Sequence, residues 1–159
     1  MAEERRTKAF AGFVVNKVDR KGRVSVPAAF RANLDQLSLK GVFVHPSLDG
    51  QALVGAGDDY LERQRARIEA LPQDSVERGT LETAIFTMGV ALDFDGEGRV
   101  QMPRDKLDAV GISEQAAFLG RGETFLVMAP DAARAMIDAD ARIARERRGA
   151  LWRQPGGGT

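Results

Sequence analysis

Residues 18–27 of the chain read VDRKGRVSVP and are matched 76 positions later by residues 94–103, which read FDGEGRVQMP. Asp, Gly, Arg, Val and Pro are identical in type and spacing in the two stretches. At the same offset the apolar run 41–44 matches residues 117–120. A self-similarity of this length indicates that the chain of 159 residues consists of two homologous halves.

Each repeat predicts a β-hairpin. Residues 13–18 are rich in β-branched side chains and are typical of a strand, while residues 23–26 alternate as a return strand. Between them, Asp19 at the first turn position can accept backbone N–H bonds, and Gly22 at the fourth tolerates a left-handed conformation. We therefore expect β-turns in both halves, each flanked by two strands that pair with each other.

The segments after each hairpin alternate between short helices and apolar strands. Pro27 and Pro103 suit the first turn of a helix because proline needs no hydrogen-bond partner there. Further helices are predicted from capping residues and apolar spacing. The predicted segments are helices 28–34 and 104–110, strand pairs 42–44 with 52–54 and 117–119 with 124–127, a helix from Asp58 or Asp59 to Leu71, a helix capped by Asp74 and Glu77 that carries Ala84, Ile85 and Met88, and a helix from Pro130 towards Arg148.

The composition excludes several classes of protein. The absence of cysteine rules out disulfide scaffolds, thiolate catalysis and Cys-ligated metal sites. The single histidine, His45, is expected to be a structural or surface residue and not a base, and the chain contains no run of about 20 apolar residues. We expect a cytoplasmic protein that is not an enzyme and has no cofactor, no metal, no small-molecule substrate and no membrane partner.

Charge is distributed unevenly along a chain whose 23 basic and 23 acidic residues cancel. Residues 1–31 carry eight basic and three acidic residues, a net charge of +5, so the remainder sums to −5. The window 17–31 has a net charge of +4, whereas the matching window 93–107 has −1. If the ligand is a nucleic acid, counterion release favours the first hairpin as the main contact.

Turn chemistry explains the repeated Asp and Gly but not the repeated arginines, Arg23 and Arg99. The carboxylate of the preceding Asp could orient each guanidinium and leave its other donors free for a phosphate or a guanine edge. Salt bridges between subunits are an alternative use of both arginines. A hydrolase using Asp19 and Asp95 is a third hypothesis, which lacks a nucleophile.

These motifs resemble the MraZ family of bacterial transcriptional regulators, whose halves belong to the AbrB-like swapped-hairpin superfamily. The resemblance extends from Phe10 to about Met136. Two features depart from the family pattern. In the second motif Glu97 stands at the position that Lys21 has in the first, and Met1 to Lys8 form an extension. The matching pattern is Phe10-x-Gly12, Asn16-x-x-Asp19-x-Lys21-Gly22-Arg23-x-x-x-Pro27-Ala28-x-Phe30-Arg31 and Asp95-x-x-Gly98-Arg99-x-x-x-Pro103.

The resemblance implies a mixed β/α fold, a double-split β-barrel built from two AbrB-like repeats and flanked by helices. It also implies a ring-shaped homo-oligomer, associated with the nucleoid, that binds short direct repeats in double-stranded promoter DNA. Its role would be to regulate, mainly by repression, the division and cell-wall gene cluster containing its own gene. The alternative is a ring-forming scaffold or protein-interaction module without specific DNA binding.

The expected organisation and the expected DNA-binding residues follow from the motifs, the charge distribution and the resemblance together. The organisation is an N-terminal extension over 1–9, a first repeat over 10–57, connecting helices over 58–88, a second repeat over 89–130, a C-terminal helix over 131–150 and a flexible tail over 151–159. The expected DNA-binding residues are Lys17, Asp19, Arg20, Lys21, Arg23, Arg31, Asp95 and Arg99.

Overall fold

The computed structural model describes residues 9–35 and 40–153 and shows a mixed α/β fold with mainly antiparallel pairing. A π-helical segment, Glu82–Thr87, continues the helix Val76–Leu81, and a 3-10 helix, Arg148–Trp152, continues the helix Pro130–Arg147. The extension 1–8 and the tail residues 154–159 lie outside the described residues. The strands are β1 Phe13–Lys17, β2 Arg23–Ser25, β3 Gly41–Pro46, β4 Leu53–Ala56, β5 Val90–Asp93, β6 Arg99–Gln101, β7 Gln115–Gly120 and β8 Phe125–Met128, and the helices are α1 Ala28–Asp35, α2 Asp58–Glu69, α3 Val76–Leu81, α4 Arg104–Ala109 and α5 Pro130–Arg147.

The two halves interleave in a single six-stranded sheet of order β1-β7-β8-β4-β3-β5, and β2 pairs with β6 in a separate two-stranded ribbon. Exchanging each strand with its counterpart in the other half leaves the order of the large sheet unchanged. The fold therefore has a pseudo-two-fold symmetry. The repeated sequence predicted two similar halves but not their symmetric arrangement. Every strand pairing involved is antiparallel.

The predicted simple hairpins are wrong in one respect, since the strands on either side of each turn belong to different sheets. Between β1 and β2 only the isolated bridge Val18 to Val24 remains, next to the turn. β2 instead pairs with β6 of the other half, with Val24 opposite Val100. Both valines are 1% exposed, so crossing to the other half buries them. Alternation specifies which face of a strand is buried, but it does not specify the partner.

The offset between the halves is not constant. It is 76 residues through the turns, but β3 and β7 differ by 74 and β4 and β8 by 72. Residues 41–44 therefore correspond to 115–118, and the predicted match with 117–120 is wrong. The change from 76 to 74 reflects helix length, because α4 has six residues where α1 has eight. The change from 74 to 72 reflects the next loop, which has six residues, 47–52, in the first half and four, 121–124, in the second.

The helices occur where they were expected, but two caps differ. Gly57 is the N-cap of α2, and Asp58 and Asp59 lie in its first turn, where their charges favour the helix dipole. At α3 the cap is Ser75, whose hydroxyl accepts a hydrogen bond from the backbone N–H of Arg78 at 3.2 Å. The predicted Asp74 cap is wrong because Ser75 is the residue one step closer to the helix.

The main core fills the space between one face of the large sheet and the layer formed by the β2–β6 ribbon, α1 and α4. At its centre Phe30 packs against Phe10 and Phe125, with ring centroids 5.5 and 5.0 Å apart. This packing holds the ribbon and both turns on a rigid base. None of the helices in the described ranges is long and apolar enough to cross a membrane.

Helices cover the opposite face of the sheet in two groups. The first turns of α5 pack Ala133 and Met136 against Ala117 and Leu119 of β7. Over β3, the ring of Phe43 lies 6.4 Å from that of Phe86 in the π-helical segment. The ribbon and its turns are thus left on the side of the molecule away from these helices.

Candidate nucleic-acid interface

The first turn is closed by Asp19. Its Oδ1 accepts hydrogen bonds from the backbone N–H groups of Lys21 and Arg23, both at 2.9 Å. Its Oδ2 accepts a bond of 2.7 Å from Nε of Arg23. Gly22 adopts φ +86°, as the turn requires. One carboxylate therefore folds the turn and orients the arginine side chain, which confirms the predicted pairing of Asp19 with Arg23.

The second turn repeats this arrangement. Asp95 Oδ1 accepts from the N–H groups of Glu97 and Arg99 at 2.9 and 3.0 Å, and Oδ2 accepts from Nε of Arg99 at 2.9 Å. Gly98 has φ +77°. The shared geometry shows that the repeated residues serve the same local structure in both halves.

The ribbon places the two turns side by side. Opposite Arg23 lies Gln101, and opposite Ser25 lies Arg99, so both arginines are on the exposed face while the valines between them are buried. Diagonal neighbours of this kind are roughly 7–8 Å apart. Each turn also bonds to the other strand, through Gln101 Nε2 to the carbonyl of Lys21 at 3.1 Å and through Val26 N–H to the carbonyl of Gly98 at 3.2 Å.

Both turn carboxylates are stabilised in the ionised form. The backbone N–H of Arg23 is the main cause that holds the pKa of Asp19 below its ordinary value, and that of Arg99 does the same for Asp95. The hydrogen bond that Arg99 donates to Asp95 raises the pKa of Arg99, and the charge of Asp19 contributes to the same shift. The guanidiniums therefore remain oriented over the neutral pH range.

The two arginines differ in their availability. Nη2 of Arg99 lies 3.4 Å from Oε2 of Glu97, a second ion pair within the same turn. At the corresponding place the first turn has Lys21, which is exposed. Among residues 9–35 and 40–153, the terminal nitrogens of Arg23 form no hydrogen bond or ion pair. Arg23 thus presents free donors next to a second cation.

Arg31 lies at the second turn, although its position in the sequence groups it with the first. A Cβ added to Gly98 would meet the Arg31 guanidinium, whereas a Cβ added to Gly22 would come within 3.6 Å of Leu107, the counterpart of Arg31. Nε of Arg31 is buried and has no hydrogen-bond partner in the described part of the chain. Counting Arg31 with the second turn transfers one positive charge to that turn. The predicted difference in net charge between the two hairpins therefore becomes smaller.

The other expected site residues surround the first turn. Lys17 ends β1, and Arg20 and Lys21 form the tip of the turn; all three are exposed. Two residues that the sequence reasoning missed, Gln101 and Ser25, share the exposed face of the ribbon with the arginines. Their position on the same alternating strands as Arg23 and Arg99 was the signal that could have identified them.

His45 has a structural role, as expected. It is 3% exposed, its Nδ1 donates to the carbonyl of Pro46 at 2.8 Å, and its Nε2 accepts from the hydroxyl of Tyr60 at 3.1 Å. Burial lowers the pKa of His45. The residue therefore connects β3 to α2, and neither of these elements belongs to the ribbon.

No protein-family model matches the chain. The transcriptional regulator MraZ of Rickettsia africae is 41% identical over 139 residues, which cover 87% of this chain and 93% of the relative. The transcriptional regulator MraZ of Rickettsia bellii is 38% identical over 136 residues, which cover 86% and 91%. Both alignments span nearly the full length of these relatives, and the chain belongs to the MraZ family.

Proposed function

We propose that the protein is a DNA-binding transcriptional regulator that contacts double-stranded promoter DNA through the exposed face of the β2–β6 ribbon and its turns. The observation that carries the proposal is Arg23, which Asp19 holds through Nε while its terminal nitrogens have no partner among residues 9–35 and 40–153. A guanidinium oriented in this way can meet a phosphate or the O6 and N7 atoms of guanine without a further loss of conformational freedom. The transcriptional regulators to which the chain is similar support this assignment.

The contact is assigned mainly to the first turn. Arg23 carries the recognition, and Lys17, Arg20 and Lys21 neutralise phosphates around it. Arg99, oriented by Asp95, contributes more weakly because Glu97 competes for its Nη2. Arg31 adds positive charge behind the second turn. A two-stranded ribbon has the dimensions to enter the major groove, where base edges are distinguishable.

Self-association would supply the affinity that one ribbon lacks. A few phosphate contacts bind weakly at physiological salt, whereas several linked ribbons gain from effective concentration. A closed ring with head-to-tail contacts repeats the same orientation around its circumference and suits direct repeats in DNA. The proposed form is therefore a nucleoid-associated ring that acts as a repressor at short direct promoter repeats of the division and cell-wall gene cluster.

The finer description of the fold belongs to the same proposal. The pseudo-symmetric exchange of strands, with the ribbon packed over one face of the large sheet, is compatible with a double-split β-barrel of two AbrB-like repeats. In such a barrel the ribbon would be a rigid part of the scaffold, which is the property that a preorganised Arg23 requires.

The test is a titration of the purified protein against a duplex carrying the sequence upstream of its own gene, at low and moderate salt. Arg23→Ala should lower the affinity for this duplex at least tenfold, whereas Arg134→Ala, an exposed arginine on α5, serves as the matched control. Equal binding of a scrambled duplex, or an Arg23→Ala variant that binds like the wild type, would contradict specific DNA recognition. It would favour the scaffold, in which the arginines serve contacts between subunits.

A further inference from the structure

Most of the exposed large apolar side chains among the described residues lie on two surfaces outside the ribbon. The first is the C-terminal ridge, residues 137–153, which comprises the distal part of α5 and the 3-10 helix after it. Ile143 is 41% exposed and Trp152 is 89% exposed on this ridge. The second surface is formed by the connecting helices, residues 58–88, where Val76, Phe86 and Met88 are exposed.

The ridge has little contact with its own subunit. In α5 only Ala133, in the first turns, is buried. Beyond Met136, which packs on the sheet, most of the helix is exposed, and Ile137, Ile143 and Ala144 lie on one side of it. A helical segment of this length without tertiary contacts is marginal in water, so packing against a partner is what would stabilise it. A single exposed tryptophan at its end is the kind of anchor that fills a pocket at an interface.

A pocket of this kind lies beside the connecting helices, and Val76, Phe86 and Met88 are outside its lining. An open groove of about 760 Å³ lies between α2, the π-helical segment and the β3–β4 part of the sheet. Its lining is mainly apolar, and Leu48, at its edge, is 73% exposed. We call it the α2 groove; its apolar lining includes Leu48, Val54, Ile68, Leu71, Leu81 and Ile85.

The two surfaces are oppositely charged. The connecting helices have seven acidic and four basic residues, a net charge of −3. The ridge has five basic and three acidic residues, a net charge of +2. The charged residues that line the α2 groove itself are Arg67, Arg121 and Glu123, so the negative charge belongs to the connecting helices as a whole and not to the groove lining. Opposite charges steer two surfaces together and select their orientation.

We propose that the C-terminal ridge of one copy of this chain docks in the α2 groove of the next copy. Apolar ridge, apolar groove and opposite charge together identify a second copy as the occupant. A contact between two different surfaces can repeat head-to-tail from copy to copy and close into a ring. The proposal rests on the self-association proposed above, and it does not depend on DNA recognition.

The absence of cysteine makes the contact directly testable in the full chain. Copies carrying Trp152→Cys are mixed with copies carrying Leu48→Cys and treated with a short bifunctional maleimide. We expect covalent dimers from this mixture, and few from Trp152→Cys alone or from a mixture of Trp152→Cys with Phe13→Cys. Phe13 lies on edge strand β1, outside both surfaces. Efficient dimers from Trp152→Cys alone would indicate a two-fold contact and overturn the proposal.

A second measurement uses light scattering. Ile143→Asp should shift the assembled protein towards the monomer and leave its thermal melting temperature, measured below the association concentration, unchanged. Phe13→Asp, at a side chain with the same 41% exposure, should leave the assembly intact. Assembly that survives Ile143→Asp overturns the proposal. Weak binding to DNA by the Ile143→Asp monomer, lost on adding Arg23→Ala, would separate failure of this interface from failure of the proposed function.

Discussion

If Lys21 and Glu97 are exchanged between the two turns, the second turn should gain affinity for DNA and the first turn should lose it. These two residues are at equivalent positions, and Glu97 forms an ion pair of 3.4 Å with Arg99, whereas Arg23, next to Lys21, pairs with Asp19 alone among the described residues. Lys21→Glu therefore removes one cation and supplies Arg23 with a competing carboxylate. Glu97→Lys does the opposite at the second turn.

The magnitude follows from two contributions. Loss of one phosphate contact lowers the slope of log K against log salt by about 0.9, which is roughly tenfold in affinity at 0.1 M salt. A surface ion pair with Arg23 is worth about 0–1 kcal/mol, which is up to about fivefold. We expect Lys21→Glu to weaken binding by about 10- to 50-fold per engaged hairpin. Glu97→Lys should strengthen it and make the slope steeper by about 0.9.

The assay is fluorescence anisotropy of a labelled upstream duplex at several salt concentrations between about 50 and 200 mM, a range over which phosphate contacts change affinity strongly. Arg134→Glu is the control, since it makes the same change of charge on α5, where Arg134 has a single, long ion pair within the described residues, 3.8 Å from Asp131. Screening beyond about 10 Å leaves that change with little influence at the ribbon. Equal salt slopes for Lys21→Glu and Arg134→Glu would refute the reasoning.

Two further predictions concern the turns themselves. Gly22→Ala should lower the free energy of unfolding more than Gly98→Ala. Both positions require φ above +70°, but a Cβ at Gly22 meets the Met102 carbonyl, whereas one at Gly98 meets the flexible Arg31 side chain. Chemical denaturation measures the difference, and equal losses would contradict it. Because the pKa values of Asp19 and Asp95 are lowered in the folded protein, both carboxylates stabilise it above the ordinary aspartate pKa, and this stabilisation is lost as the pH falls through the lower folded value. Asp19→Asn should therefore make the loss of stability below about pH 4 smaller in thermal melts. An unchanged pH profile would contradict the role of the carboxylate.

The local chemistry of the turns was predictable from the sequence, and their surroundings were not. Asp19, Gly22 and Arg23 have the geometry that their types and spacing indicated, because every bond among them spans at most four residues. The partner of β2 was not predictable, because Val24 would be buried equally well against several apolar strands. Pairing between strands 76 residues apart is decided by the fit of the whole core.

Arg31 shows the same limit in the candidate site. Its distance along the chain from Arg23 assigned it to the first hairpin, but α1 crosses to the other half and brings its guanidinium against Gly98. A count of charge in a sequence window therefore assigns a charge to the wrong turn wherever strands are exchanged. The equivalent residue of the second half, Leu107, is apolar and lies at the first turn, so both halves exchange this position.

The symmetry of the fold and the asymmetry of its charges have a joint consequence for the proposed regulator. The pseudo-two-fold axis passes through the pair Val24 and Val100, so two equal turns would present the ribbon identically in both directions. Such a ribbon would suit an inverted DNA site. Lys21 and Glu97 break that equality, which gives each subunit a strong and a weak end along the DNA. Copies joined head-to-tail preserve this direction from one subunit to the next, and a row of directed contacts is what direct repeats require.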